Sequence, residues 1–583
     1  MQSKRLSLPI GRTLPYRLAT FLYVLAFAWP AVPVWGTDAS VTEAASGTVL
    51  EGVMVPMRDG TCLATDVYLP GGGGPWPAIL MRTPYGRGGC KPFADACNGF
   101  GMAAVAQNTR GRGGSYGRDM VFGDDGWGTC QDGVDTAAWI RAQDWSDGRI
   151  AGWGASALAI TQNLLAGTGE PLVAQVMWVG SSDFYGQLAY QGGVFRKSMC
   201  ERWSKGQGSS HILESWHEHP TDDGFWWFYD TEARAAAITA PGLHVGGWWD
   251  IFCQGTINSF VTRQHNGGEG AKGRQMLVMG AWAHGPVAEY GGFKMPANYN
   301  YDFNGLGMRF LRHYVAGNEA GMADEPAVRY YTLGDVEDPE APGNEWRTAD
   351  DWPPFATTET PFYLVPDGSL AREPQPAADN ACTTYTYDPA DPCPTRGGAN
   401  LYREETGIGP ADQRELAERA DVLVFMTPPL DEPVEITGRV KVRLCVSTDA
   451  PDTDFTAKLL DVYPDGRQML MLDGIRRLKF HRGYRKADPL PPGEVGLLEI
   501  DLWTISLIVN KGHRIGLHVS SSNYPRFEKN PNTGEDLPVE GGELRVANNT
   551  VYMDEEHPSA LLLPIPSSDS TDADPAISQK SGP

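Results

Sequence analysis

Three residues far apart in the chain have the types needed to work on an acyl carbonyl: Ser156, Asp250 and His284. Ser156 lies in Gly154-Ala155-Ser156-Ala157-Leu158-Ala159, between a short strand-like piece, Arg149 to Trp153, and an apolar helical pattern. A serine at such a strand–turn–helix junction can hold its Oγ clear of the backbone, with small neighbours leaving room for the turn. Alone, the pattern also fits a helix N-cap, a position that favours Ser too. Two later segments add weight. Residues 243–250 (LHVGGWWD) read as a strand ending in Asp, and 275–284 (QMLVMGAWAH) as a strand ending in His. A serine hydroxyl becomes nucleophilic when a neutral imidazole takes its proton, and that imidazole needs a carboxylate to fix its tautomer. A lone His284 reads as structural and a lone Asp250 as a cap; their joint occurrence at strand ends calls for one explanation.

Elements that could bring them together are legible around them. Pro77 to Met81 and Gly101 to Ala106 are short continuous apolar runs, typical of buried parallel strands. Further runs are Val173 to Val179, Leu243 to Gly246 and Gln275 to Met279, and helical patterns cover 132–143 and 157–167. Strands alternating with helices imply a parallel sheet covered on both faces, whose strand ends on one edge can converge on a site. The order Ser, Asp, His, each just after a strand, is that of α/β-hydrolases. Ahead of these runs, 48–57 and 62–69 alternate apolar with polar or small residues about Arg58-Asp59-Gly60, which predicts a β-hairpin. Residues 183–237 are rich in aromatics and charges, with helical spacing and no strand signal, and read as a lid. From about Thr360 the chain turns to short β-like runs (FYLV, LVFMT, VKVRLCVS, LLEIDL, RIGLHVS), the signature of an antiparallel sandwich.

The expected organisation is therefore a leader over 1–36, an α/β-hydrolase domain over 46–355 with a lid at about 183–237, a jelly-roll-like β-sandwich over 356–566, and a disordered polar tail over 567–583. The leader reading rests on Lys4, Arg5, Arg12 and Arg17 around the apolar stretch Leu18 to Trp29, then Pro30 and Pro33, with Gly36 or Ala39 as the small residue for cleavage. The stretch is short for a membrane span, which needs about 20 residues. It predicts an exported protein, periplasmic or extracellular, with no stable membrane insertion once cleaved; an uncleaved anchor is the other reading. A net charge of −24 argues against a nucleic-acid partner, since phosphate binding needs clustered Lys and Arg. Of nine cysteines, Cys90 with Cys97 and Cys382 with Cys393 are close enough to close short loops in an oxidising compartment, though sequence does not fix pairing. Cys445 and Cys62 read as buried free thiols.

The sequence resembles the cocaine esterase / X-Pro dipeptidyl-peptidase family, from about Val53 to Phe527. The markers are Met57-Arg58-Asp59-Gly60, Arg82-Thr83-Pro84-Tyr85-Gly86, Arg110-Gly111-Arg112-Gly113, Gln143-Asp144-Trp145-Ser146-Asp147-Gly148 and Gly247-Trp248-Trp249-Asp250. In the second half they are Asp454 to Leu459, Gly512-His513-Arg514 and Tyr524 to Phe527. The resemblance implies Ser156 as nucleophile, His284 as general base and Asp250 as its orienting acid. It implies an oxyanion hole made by the Tyr85 hydroxyl and the backbone N–H of Ala157, and a galactose-binding-like second domain. A phenolic O–H is a suitable preorganised donor to a developing oxyanion. The family commonly has Tyr directly after the nucleophile and Gly two residues further on; here they are Ala157 and Ala159.

Other signals carry less. Gly111 to Gly117 is glycine-rich, but no helix start or Lys-Ser/Thr follows, so a phosphate loop is not expected. His217 and His219 would face apart on a helix, which argues against a metal pair. Trp153, Trp226, Trp227, Trp248 and Trp249 suit either an aromatic acyl pocket or core packing. The expectation is a secreted serine hydrolase of small-molecule esters or amides, needing no metal or organic cofactor, with assembly into homo-oligomers left open. Acylase or X-Pro dipeptidyl-peptidase action is the alternative within the class, with Asp222 and Asp223 available to hold a free amino group. A catalytically silent protein whose sandwich binds sugar or polymer is the alternative outside it.

Overall fold

In the computed structural model the strands foreseen before residue 281 join two unforeseen ones, Val328–Thr332 and Glu345–Ala349, in one large mixed sheet. Residues 47–317, 322, 324–374, 381–539 and 541–567 are described; the leader over 1–36 and all but the first residue of the tail lie outside them. Ten strands form the sheet: β1 Thr48–Pro56, β2 Cys62–Leu69, β3 Trp76–Thr83, β4 Ala103–Asn108, β5 Ser146–Ala155, β6 Gln175–Trp178, β7 Gly242–Gly247, β8 Gln275–Gly280, β9 Val328–Thr332 and β10 Glu345–Ala349. Their order is β1–β2–β4–β3–β5–β6–β7–β8–β9–β10. β3 to β9 are parallel, while β1 and β2 at one edge and β10 at the other run antiparallel to their neighbours.

Helices α1 Lys91–Gly99, α2 Asp132–Arg141, α3 Ala157–Gly167, α4 Lys197–Gln207, α5 Ile212–His217, α6 Cys253–Asn266 and α7 Phe303–Ala316 accompany it. Along β3 the side chains divide by parity. Ile79 and Met81 join α1 and α7 in one apolar cluster. Ala78 and Leu80 join α2 and Leu165 of α3 in another. Successive side chains of a strand point to opposite faces, so a strand covered on both needs apolar residues at every position. That is why the sheet strands read as unbroken apolar runs.

The inserted segment 183–237 carries α4, α5, a π-helical turn at Tyr185–Ala189 and 3-10 turns at Trp226–Tyr229 and Ala235–Ala237. It also holds strand pairing that its sequence did not announce: Tyr190–Gln191 pairs with Val194–Phe195. Two-residue strands are too short to show a period of two, and the turn between them is Gly192-Gly193, both at positive φ.

The second half is a sandwich. One sheet has β11 Thr357–Leu364, β12 Cys382–Tyr387, β14 Val434–Thr448, β17 Gly496–Val509, β19 Ala547–Tyr552 and β20 Ala560–Pro566, with Leu370–Ala371 at its edge. The other is β13 Leu423–Met426, β18 Arg514–Ser520, β15 Asp454–Val462 and β16 Gln468–Arg477, paired in that order. Its apolar core runs on into the large sheet: Leu277, Met279, Val328 and Tyr330 share one buried cluster with Val440, Leu459 and Ile505. All nine cysteines are free, so neither Cys90 with Cys97 nor Cys382 with Cys393 is bridged. Cys90 and Cys97 are buried, and burial pushes the Cys90 thiol up to about 12, which keeps it protonated and unreactive. Among the described residues no helix is long and apolar enough to cross a membrane.

Candidate active site

β5 ends at Ala155 and α3 begins at Ala157, so Ser156 alone makes the turn, at φ 58° and ψ −124°. That conformation is costly for a residue with a side chain and must be held by its surroundings. Here the Ser156 N–H donates to Trp178 O (2.9 Å) and its carbonyl accepts from Ile160 N (3.0 Å). Gly154 is required by close approach: a Cβ there would stand 2.3 Å from the Leu158 carbonyl. All eleven residues of α3 are buried, which fixes the helix behind the turn.

Asp250 follows β7 through a turn locked to the next strand, with Trp248 N donating to Gly280 O (3.0 Å) and Trp249 N to Trp282 O (2.9 Å). Both indoles are anchored: Trp248 Nε1 donates to Tyr331 O (2.7 Å), and Trp249 Nε1 to Met471 O (2.9 Å) in the sandwich. Asp250 is fully buried; Oδ2 accepts from Phe252 N (3.1 Å) and Oδ1 lies 2.6 Å from His284 Nδ1. Beside it, buried Arg196 donates to the carbonyls of Gln187 and Ile251 and lies over the Trp503 ring. Burial pushes the Arg196 guanidinium down to about 9, which still leaves a cation close to the Asp250 carboxylate at neutral pH.

His284 follows β8. Its approach is set by Tyr290, whose hydroxyl accepts from Ala283 N (3.0 Å) and donates to Ala281 O (3.3 Å). Nε2 lies 2.9 Å from Ser156 Oγ. The carboxylate at Nδ1 can only accept, so the proton of a neutral ring belongs on Nδ1 and Nε2 is free to take the serine proton.

Tyr85 stands two residues past β3. Its N–H donates to Thr83 Oγ1 (3.0 Å), and its Oη accepts from Trp203 Nε1 (2.9 Å). The residue keeps 38% of its surface open, yet protein crowds the ring and burial raises the phenol above its ordinary pKa; hydrogen bonds with Trp203 and Ser156 and the Arg112 charge pull the other way. Ala157 is the first residue of α3, so its N–H has no carbonyl within the helix to bond. The arrangement thus offers a hydroxyl, a base and two donors within one small region.

Ser156, Tyr85 and Ala157 line a pocket enclosed by Phe122, Leu188, Trp203, Trp216, Phe252 and Leu401, and among the described residues none that lines it is charged. Its cavity volume is about 30 Å³. Of the tryptophans singled out in the sequence, none lines it: Trp153 stacks on Phe93, Trp226, Trp248 and Trp249 are buried elsewhere, and Trp227 is exposed. Trp203 and Trp216 do the lining instead; they sit in an insertion whose helical spacing distinguishes core from pocket poorly. Leu401 lies in the sandwich half, where no local signal ties a leucine to a distant serine. Asp223 is engaged by His219 Nδ1 (2.7 Å) and Asp222 lies 3.9 Å from Arg485; neither reaches the pocket. Among the described residues no three His, Cys, Asp or Glu side chains are placed to hold a metal ion.

Comparison with known proteins agrees with this architecture. The model of the X-Pro dipeptidyl-peptidase (S15 family) matches residues 59–210 and 201–286, and that of the X-Pro dipeptidyl-peptidase C-terminal non-catalytic domain matches 320–562. The chain is 32% identical to a cocaine esterase of Rhodococcus sp. (strain MB1 Bresler), over 89% of this chain and 98% of that protein. Among solved structures, an aminopeptidase from a marine sediment archaeon (Thaumarchaeota archaeon) superposes with a TM-score of 0.77 at 27% identity, covering 91% of this chain and 99% of that one. An α-amino acid ester hydrolase does so at 0.75 and 25%, covering 92% and 100%.

Proposed function

From the premise that this chain belongs to the cocaine esterase / X-Pro dipeptidyl-peptidase family and is a serine hydrolase, we propose that it hydrolyses carboxylic esters with an uncharged, apolar acyl group. Ser156 attacks the carbonyl carbon as His284 Nε2 takes its proton, and Asp250 steadies the resulting imidazolium. The tetrahedral oxyanion is held by the Tyr85 hydroxyl and the Ala157 N–H. Collapse expels the alcohol, protonated by His284, and water repeats the sequence on the acyl-enzyme to release the acid. The segment 183–237 covers the pocket as a lid on the α/β domain of 46–355, and the leader over 1–36 directs export.

The observation that carries the ester preference is the absence of charge in the pocket lining. A peptidase that captures a substrate's free amino group needs a carboxylate there, because an ammonium loses its hydration on entry and must be compensated. The S15 match favours amide cleavage as the second reading, which the same experiment addresses.

The test is hydrolysis of p-nitrophenyl acetate and butyrate beside alanyl-prolyl p-nitroanilide. It uses secreted protein, whose sequenced N-terminus is expected just after Gly36 or Ala39, and its Ser156→Ala variant. Ester turnover falling on the order of 10⁴-fold or more in the variant is expected, with little action on the dipeptide. Preference for the dipeptide would replace the ester reading by the peptidase one. Wild-type protein that neither turns over any of the three nor reacts with a fluorophosphonate would sink the assignment of Ser156.

A further inference from the structure

Trp203, on α4, lines the pocket beside Tyr85, and its indole N–H donates to Tyr85 Oη at 2.9 Å. A phenol has one proton to give and accepts through its oxygen lone pairs. With an outside N–H committed to the oxygen, the O–H must point elsewhere, and Ser156 lines the same pocket. We infer that Trp203 is a positioning residue for the oxyanion hole, turning the Tyr85 hydroxyl so that its proton faces the carbonyl oxygen of the substrate. An accepted hydrogen bond also polarises the hydroxyl, which makes it a stronger donor as negative charge develops on the substrate.

The indole is held for this. Phe122 stacks on it, with ring centroids 5.8 Å apart and planes at 21°. α4 itself is fastened to the sandwich: Lys197 pairs with Glu528 (2.7 Å), Ser198 N donates to Pro525 O (3.0 Å), and Arg202 pairs with Glu405 (3.1 Å). The helix that carries this donor is therefore braced by the half of the chain that supplies none of Ser156, Asp250 or His284.

The inference rests on the reading of Tyr85 as an oxyanion donor, and a double-mutant cycle separates the two. On p-nitrophenyl butyrate, Tyr85→Phe is expected to lower kcat about 10²-fold, as loss of one oxyanion donor does. Trp203→Phe keeps an aromatic ring in the pocket while removing the N–H together with part of the indole's bulk, and kcat is expected to fall about 3- to 10-fold with KM within twofold. In the Tyr85→Phe background the Trp203→Phe change is expected to alter kcat less than twofold, because the proton it directs is gone. Full multiplication of the two losses, or a Trp203→Phe loss confined to KM, overturns the inference and leaves Tyr85 in its role. An unchanged kcat in Tyr85→Phe alone overturns the reading of Tyr85, and the inference with it. Near-ultraviolet circular dichroism and thermal unfolding of each variant exclude loss of the fold as the source of any loss.

Discussion

At the scale of the residue, the departure at Ala159 has a physical counterpart. Where the family commonly has Gly, a methyl group here presses toward the loop after β6, and the space for it comes from Gly180. A Cβ at 180 would stand 2.7 Å from Ala159 Cβ, closer than real Cβ atoms tolerate. Gly180→Ala is therefore expected to cost about 1–3 kcal/mol by overpacking and to displace the helix that presents Ser156, lowering ester turnover as well. Adding Ala159→Gly should restore most of both, less about 1 kcal/mol for a glycine within a helix. Thermal unfolding and turnover of the single and double variants check this; a neutral Gly180→Ala would show that the loop, not Gly180, makes the room. The sequence let Ser156, Asp250 and His284 be named because each follows a strand marked by its own apolar run. The exchange between 159 and 180 was illegible, since twenty-one residues and a strand separate two atoms that would collide only in three dimensions.

The inserted segment shows the same limit at the scale of the element. Its aromatic and charged composition read as a lid without a strand, but the short hairpin and the π turn rest against the sandwich, where Arg477 N donates to Gly192 O and Tyr185 packs on Tyr484. At its start, Asp183 Oδ1 accepts from Tyr185 N (3.2 Å) and Oδ2 from Gly186 N (2.8 Å). Burial, and then the neighbouring Glu232 charge, push the Asp183 carboxyl up to about 7. An unfolded aspartate ionises near pH 3.9, so between roughly pH 4 and 7 the folded chain holds a proton that the unfolded chain has lost. Stability contributed by this group accordingly falls as pH rises through that window. Asp183→Asn keeps one acceptor and removes the titration. Its melting temperature should decline less than the wild type's between pH 5 and 7, and equal slopes would show that the carboxyl is ionised throughout.

Over the whole molecule the two halves are joined by polar contacts as well as by a common apolar core. His513 of the sandwich lies between Asp461 (2.8 Å) and Asp335 (3.3 Å), the latter just past the large sheet's strand β9. Burial pulls its imidazole pKa down, but the hydrogen bond and charge of Asp461, reinforced by Asp335, prevail and raise it. A raised histidine stabilises the fold fully below its unfolded pKa of about 6.5 and loses that contribution as pH climbs through the higher folded value. His513→Gln should therefore lower the melting temperature more at pH 6 than at pH 9; an equal loss at both would mean the ring is neutral in the fold. The sandwich was foreseen from its β-like runs, but that it anchors the indole of Trp249 and the helix bearing Trp203 was not, because such contacts join segments hundreds of residues apart.

Leu401 gives this partnership a further meaning. It belongs to the sandwich half yet forms part of the wall around Ser156. The half matched as non-catalytic therefore contributes to the wall beside Ser156. Drift in a loop that bears no reacting group can retune the choice of acyl chain while the chemistry stays intact. The shape of the space beside Ser156 is thus set jointly by both halves of the chain, and Leu401 is a position through which it can be reshaped without touching Ser156, Asp250 or His284.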